Sequence, residues 1–377
     1  MIYFDNAATS FPKSPRAIVE ATVCMRTWCG NPGRGAHFLS RAASEKVYAC
    51  RELLSDFLGL NAPERIVFTQ NTTFALNMAL KGALKHGDHV LCSELEHNAV
   101  LRPLHALQQE RGISFDSFPV LGRTAEQILQ EITTRIKKNT AAVVCLHASN
   151  ICSLSLPLSS IGALCRARGL LFMVDAAQSA GHLPIDMHTM QIDALAVPAH
   201  KGLLGIPGCG VLALGERISL STLIEGGSGV NSLSRTMPEE FPERFEAGTL
   251  PVVAIAGLCG GISHVMELGS TELENRAKRL FFAARERIEA LGGFEIYEPT
   301  AAGAVLLFNK IGMPSTELAR ILDKAGICTR AGLHCAPLAH QALKTPTGGA
   351  VRLSFGAFNT SAEVDVLWRV LQHEFCQ

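Results

Sequence analysis

The 377-residue sequence has no excess of charge: 34 basic and 34 acidic side chains cancel. A polyanion-binding protein usually carries a basic face, so this balance gives no support for nucleic-acid binding beyond a local patch. The opening MIYFDNAATS lacks a basic leader followed by an apolar run, and no signal peptide is expected. Long unbroken hydrophobic runs are missing too. The most apolar stretch, Pro251 to about Leu268, is interrupted by Gly257, Gly260, Gly261, Ser263, His264 and Glu267. It fits a buried helix better than a membrane span. No internal repeat or low-complexity tract is evident. The 12 cysteines form no metal pattern: Cys24 and Cys29 lack a second paired cluster, while Cys92, Cys145, Cys209 and Cys259 fall in apolar segments. Reduced structural thiols, a cytoplasmic location and no metal site are the expectations.

What is present is enough chain for two hydrophobic cores. From Ser40 to Leu58, Val47, Cys50, Leu54, Phe57 and Leu58 recur at helical spacing. Short apolar runs then predict strands at 66–69, 89–92, 141–147, 170–175, 193–197 and 210–214. Four of the gaps are long enough for helices, at Thr73–Leu84, Asn98–Gln109, Ala125–Lys137 and Leu158–Arg168. This alternation predicts a mostly parallel sheet covered on both faces, with its ligand crevice at the carboxyl ends of the strands. After Pro251 the pattern changes to helices near 251–268, 271–291, 315–325 and 361–374, with strands at Ala304–Phe308 and Val351–Phe355. These predict a second, smaller α+β domain.

Three features suggest chemistry. Asp175 ends a strongly apolar strand in VDAAQSAG, where a carboxylate is costly unless paired, capping a turn or placed in a site. Lys201 follows the next strand in PAHKGLLGIPG; alone, a loop lysine is usually solvated. Together they suggest an imine-forming amine and a carboxylate that keeps a pyridine nitrogen protonated. TQNTTFALNMAL runs from a strand end into a helix, where hydroxyls and free amides suit an anion, or merely cap the helix. Asn71 suits a tight turn at that junction.

The motifs YFDNAATSFPK, NPGRGAH, TQNTTFALNMAL, LEHNAVLRPL, HASN, VDAAQSAG, AHKG, RFEAGTL, RAGLHCAP and VRLSFGAFNT occur in this order along nearly the whole chain. In number and order they resemble the cysteine desulfurase and selenocysteine lyase family of class V, fold-type I pyridoxal-phosphate enzymes. The resemblance implies an α/β fold with a mostly parallel seven-stranded sheet. Its large cofactor domain would span 15–255, and a smaller α+β domain 1–14 with 256–377. It also implies pyridoxal 5'-phosphate bonded to Lys201, with Asp175 on the pyridine nitrogen and His97 stacked on the ring. Gln178 would face the phenolic oxygen, and Asn150 would lie near that oxygen and the substrate carboxylate. Thr72, Thr73 and His200 would contact phosphate, with Thr249 supplied by the other subunit of a homodimer. Arg352 would grip the amino-acid carboxylate, with Arg330 beside the same entrance. A bidentate guanidinium matches a carboxylate well, although a strand arginine is otherwise usually an ion-pair residue.

Cys335 in RAGLHCAP would be the sulfur nucleophile, leaving a persulfide on the enzyme and alanine as product. Its short loop, marked by Gly332 and Pro337, resembles the ordered-loop group of the family. Arg330 and His334 would favour a thiolate; His334 would assist the thiol, transfer a proton or serve in packing. The chain departs from the family pattern at Pro198, where a phosphate hydroxyl is usual unless Ser228 or water replaces it. It departs also at Ser153 and Asn71, both commonly glycine, and at Leu333, commonly polar. The expected reaction is release of sulfur or selenium from cysteine or selenocysteine, with a sulfur-acceptor protein as a further partner. The alternatives are another class V reaction, such as a cysteine-derivative β-lyase or an aminotransferase, and a noncatalytic scaffold. A scaffold has no use for Lys201, Asp175 and His97 together, whereas β-elimination has no use for Cys335.

Overall fold

The computed structural model describes residues 1–33, 35–297 and 302–375; Arg34 of NPGRGAH lies outside them. After a short strand β1 (Ile2–Tyr3), seven strands build the large sheet. They are β2 (Ile66–Thr69), β3 (His89–Ser93), β4 (Ser114–Phe118), β5 (Thr140–Leu146), β6 (Leu171–Asp175), β7 (Ala194–Pro198) and β8 (Gly210–Leu214). Their order is β2-β8-β7-β6-β5-β3-β4, with only β8 antiparallel to its neighbours.

Six of these strands are the apolar runs of the sequence. Apart from Thr140, Ala141 and Leu171 at strand starts, their residues are buried because helices cover both sheet faces, which removes the polar alternation of a half-exposed strand. Each fully buried Val or Leu contributes about 1.5–3 kcal/mol. The seventh, β4, reads SFDSF and has only Phe118 buried, as an edge strand allows. The helices Thr72–Ala83, Asn98–Arg111, Ala125–Arg135 and Leu158–Ala167 occupy the predicted gaps. Ala125–Arg135 begins with a reciprocal cap, Thr124 bonding the Gln127 N–H and Gln127 bonding the Thr124 N–H.

The remaining strands are β9 (Phe294–Ile296), β10 (Val305–Lys310), β11 (Ile327–Cys328), β12 (Arg330–Gly332) and β13 (Ala350–Ser354). A four-stranded antiparallel sheet has the order β12-β13-β10-β9, and β1 pairs with β11. Helices Ser270–Leu291, Ser315–Lys324 and Ser361–Phe375 enclose a separate core around Phe4, Phe281, Phe308 and Phe355. Helix Val252–Leu268 instead contributes Ile255, Leu258 and Ile262 to the core of the large sheet. Among the described residues no single helix is long and apolar enough to cross a membrane; this one passes only jointly with Ser270–Leu291, across a 77° bend.

Candidate active site

Parallel strands deliver their carboxyl ends to one rim of the large sheet, and the candidate residues follow from those ends. Asp175 closes β6, Lys201 lies three residues beyond β7, Asn150 follows β5, His97 follows β3 and Thr72 follows β2. They line one cleft of about 100 Å³ together with Thr73, Gln178, Pro198 and His200. Close backbone approach sets the Lys201 loop against the Asp175 loop. A Cβ on Gly181 would stand 2.1 Å from the Gly202 oxygen, and one on Gly202 would stand 2.2 Å from the Ala180 oxygen. Gly181 also has φ +92°, a left-handed value that glycine adopts freely.

Electrostatics in the cleft follow from burial. Desolvation pushes the Lys201 amine down to about 8, Arg352 and Arg330 adding to the effect while Asp175 opposes it. Burial raises the Asp175 carboxyl, held against that trend by the Ala177 N–H at 2.9 Å and by Lys201. His97 falls to about 4 through burial and then the charges of Lys201, Arg330, Arg102 and Arg352. Its Nδ1 accepts the Ala99 N–H at 3.0 Å, so the neutral ring carries its proton on Nε2. His200 likewise falls to about 4, first through burial, and its Nδ1 lies 3.0 Å from Thr9 Oγ1.

The start of helix Thr72–Ala83 differs from expectation. Asn71 has φ −172°, extended backbone rather than a tight turn, and caps the helix by accepting the Phe74 N–H at 2.9 Å. The capping duty thus falls to Asn71, leaving the threonine hydroxyls for the cleft. Thr72 Oγ1 and Asn150 Oδ1 are buried without a partner. Buried unsatisfied polar atoms are costly, and two of them lining one cleft point to a polar ligand. The donor set therefore fits pyridoxal phosphate: an amine and a carboxylate in one cleft, with hydroxyls and free amides at a helix start. Ser228 does not line this cleft, while Pro198 does. Gln178 Nε2 donates to the Ala7 carbonyl at 2.9 Å. Thr249 is exposed and lies outside the cleft of its own chain.

The arginines and Cys335 reach the rim from the small sheet. Arg330 and Arg352 are register partners across β12 and β13. Arg352 is 1% exposed and donates to the Asn150 carbonyl at 3.0 Å and to Asp5 Oδ1 at 2.6 Å. Cys335 is exposed, with its carbonyl accepting the Asn98 N–H at 2.7 Å, beside His97. The preceding carbonyl, of His334, accepts from Asn150 Nδ2 at 2.9 Å. The His334 ring bonds to His340 Nε2 and the Arg330 carbonyl, both at 3.1 Å, so neither nitrogen is left for the thiol. Of the roles open to His334, packing is the one its contacts support.

Ser153, where glycine is usual, has a left-handed φ of 57°. Its Oγ donates to the Val305 carbonyl at 2.7 Å and accepts the Val305 N–H at 2.8 Å, clipping β10 to the Asn150 loop. Asp5, Ala7 and Thr9 carry no legible role in the sequence beyond their place in the YFDNAATS motif. Their partners lie far along the chain, as with Asp5 and Arg352, so local pattern carries no sign of them.

The family model for class-V aminotransferases matches residues 2–367. The chain belongs to that family, on its cysteine desulfurase branch. A probable cysteine desulfurase of Methanothermobacter thermautotrophicus is 33% identical over 98% of this chain and 94% of its own. One from Pyrococcus abyssi is 32% identical over 99% and 94%. Among solved structures, the apo cysteine desulfurase of Thermococcus onnurineus matches with TM-score 0.90 and 30% identity, covering 99% of this chain and 94% of that one. The cysteine desulfurase CsdA of Escherichia coli, in its S-sulfonic acid form, gives 0.89 and 26% over 98% and 94%. The fold is that of pyridoxal-phosphate fold-type I enzymes, and the chain is an enzyme of the class-V desulfurase and aminotransferase type.

Proposed function

We propose that this protein takes sulfur or selenium from L-cysteine or L-selenocysteine, leaving L-alanine and a persulfide or selenium adduct on Cys335. The observation that carries the reading is the attachment of the Cys335 loop to the rim of the Lys201 cleft. Asn98, next to His97, donates to the Cys335 carbonyl at 2.7 Å, and Asn150 donates to that of His334 at 2.9 Å. A β-lyase or aminotransferase needs the cleft without needing a tethered thiol.

Bound pyridoxal phosphate supplies an electron sink conjugated to the substrate α-carbon. Lys201 would hold it, Asp175 its ring nitrogen, Gln178 its phenolic oxygen, and Thr72, Thr73 and His200 its phosphate. Lys201, with its amine near 8, is suited to moving a proton near neutral pH. His97 carries one proton on Nε2 beside the same cleft. Arg352 and Arg330 would orient the substrate carboxylate, and Asn150 would contact it. We further propose a cytoplasmic homodimer in which Thr249 reaches the phosphate of the other subunit, with a sulfur-acceptor protein relieving Cys335 of its load. Product analysis with cysteine, selenocysteine and cystine tests the reading. Alanine with sulfide or selenide supports it; pyruvate and ammonia as the main products assign a β-lyase instead.

A further inference from the structure

His334 and Cys335 both have left-handed backbone, with φ 50° and 56°. Neither is glycine, so each position costs about 1–2 kcal/mol and persists only where surrounding contacts over-determine it. Two of those contacts are backbone carbonyls held by Asn98 and Asn150. The third is a chain of side chains beneath the loop. His334 Nε2 must donate, because its partner at 3.1 Å is the Arg330 carbonyl. His334 Nδ1 is then an acceptor, and His340 Nε2 at 3.1 Å must supply the hydrogen. His340 Nδ1 in turn accepts from Thr345 Oγ1 at 2.8 Å. The rings stack with centroids 5.4 Å apart and planes 14° apart, and both residues are buried, at 4% and 2% exposure. Burial and the charge of Arg352 push both rings well down, to about 3 and about 4, so this order of donors persists at neutral pH.

We propose that His340 is a positioning residue for the sulfur-transfer step: through His334 it holds the Cys335 turn in its left-handed form and aims the thiol at the cleft. Neither imidazole exchanges protons with the thiol, because every ring nitrogen is committed within the chain Thr345–His340–His334–Arg330. This inference rests on the assignment of Cys335 as sulfur acceptor. Its structural part, the fixed tautomers and the held turn, can be read independently of turnover.

The test uses the cofactor-loaded protein and three variants. Imidazole ¹⁵N NMR of the wild type should show His334 and His340 neutral with hydrogen on Nε2. His340→Gln keeps an amide donor toward His334 and should retain kcat; His340→Leu removes it and should lower kcat about tenfold or more, the scale of a misplaced reacting group. KM should change little in both, because Arg352 and Arg330 are untouched. Hydrogen exchange at Asn98, whose N–H is tied to Cys335, should quicken in His340→Leu alone. Unchanged kcat and exchange in a folded His340→Leu, or equal losses in Gln and Leu, would overturn the proposal. Should His340→Leu fail to fold, Thr345→Val decides: a shift of hydrogen toward His340 Nδ1 with lower kcat supports it, and unchanged kcat overturns it. If the wild type releases no alanine at all, the desulfurase reading fails, and the NMR and exchange results still judge the held turn.

Discussion

Replacing Ser153 separates backbone strain from hydrogen bonding at the joint between the two sheets. The side chain sits at φ 57° and makes two hydrogen bonds to the Val305 backbone. Each bond is worth about 1 kcal/mol net. Ser153→Ala loses both while keeping the strain, for a loss of about 2 kcal/mol. Ser153→Gly loses both as well, yet relieves roughly 1 kcal/mol of left-handed strain, for a net loss of about 1 kcal/mol. Urea unfolding of cofactor-stripped protein should therefore rank wild type above glycine and glycine above alanine. Because Val305 and Arg352 lie on paired strands, the alanine variant should also raise KM for cysteine more than the glycine variant does. An alanine variant as stable as glycine, or as wild type, would refute the reasoning.

Arg51 and Glu246 form a buried two-bond pair at 2.9 and 2.6 Å, each side chain 6% exposed, just before the AGTL loop. Arg51→Leu strands a buried carboxylate and should cost about 3–5 kcal/mol; a loss under about 1 kcal/mol in urea unfolding contradicts this. The Lys201 amine falls from the usual 10.5 to about 8. Its folded value lies below its unfolded one, so its charge opposes folding fully below pH 8, and that penalty fades as pH rises toward 10.5. In stripped protein Lys201→Met should thus exceed wild type in stability at pH 7 by about 3 kcal/mol, at about 1.4 kcal/mol per pH unit. The gap should close in alkali, and a pH-independent gap would refute it. Light scattering should return twice the 40.4 kDa chain mass; an active monomer would reject the shared phosphate site.

Much of this architecture was legible because buried parallel strands read as unbroken apolar runs. AAVVCLH and LLFMVD needed only their length and flanking turns to be placed, and Asp175 stood out as the charge ending one of them. Strand β4 escaped because an edge strand with one buried residue has no such run. The cleft residues were legible as motif positions, while their convergence required the fold. Asn71 suits a tight turn by residue type, but its capping bond to Phe74 is a choice among local conformations that spacing does not settle. Asp5 and His340 carried no signal, since their partners are defined by tertiary packing, with Arg352 standing 347 positions from Asp5.

The proposed reaction turns on Cys335 as the acceptor of the sulfur. Cys335→Ala leaves Lys201, Asp175, His97 and Arg352 in place, and should retain bound cofactor and bind cysteine. Alanine formation from cysteine should collapse, and intact mass should show no added sulfur atom on the chain, whereas the wild type gains one. Selenocysteine, whose selenium leaves more readily, is expected to keep some selenide release. Wild-type rates of alanine from cysteine in the cofactor-loaded Cys335→Ala variant would contradict the account.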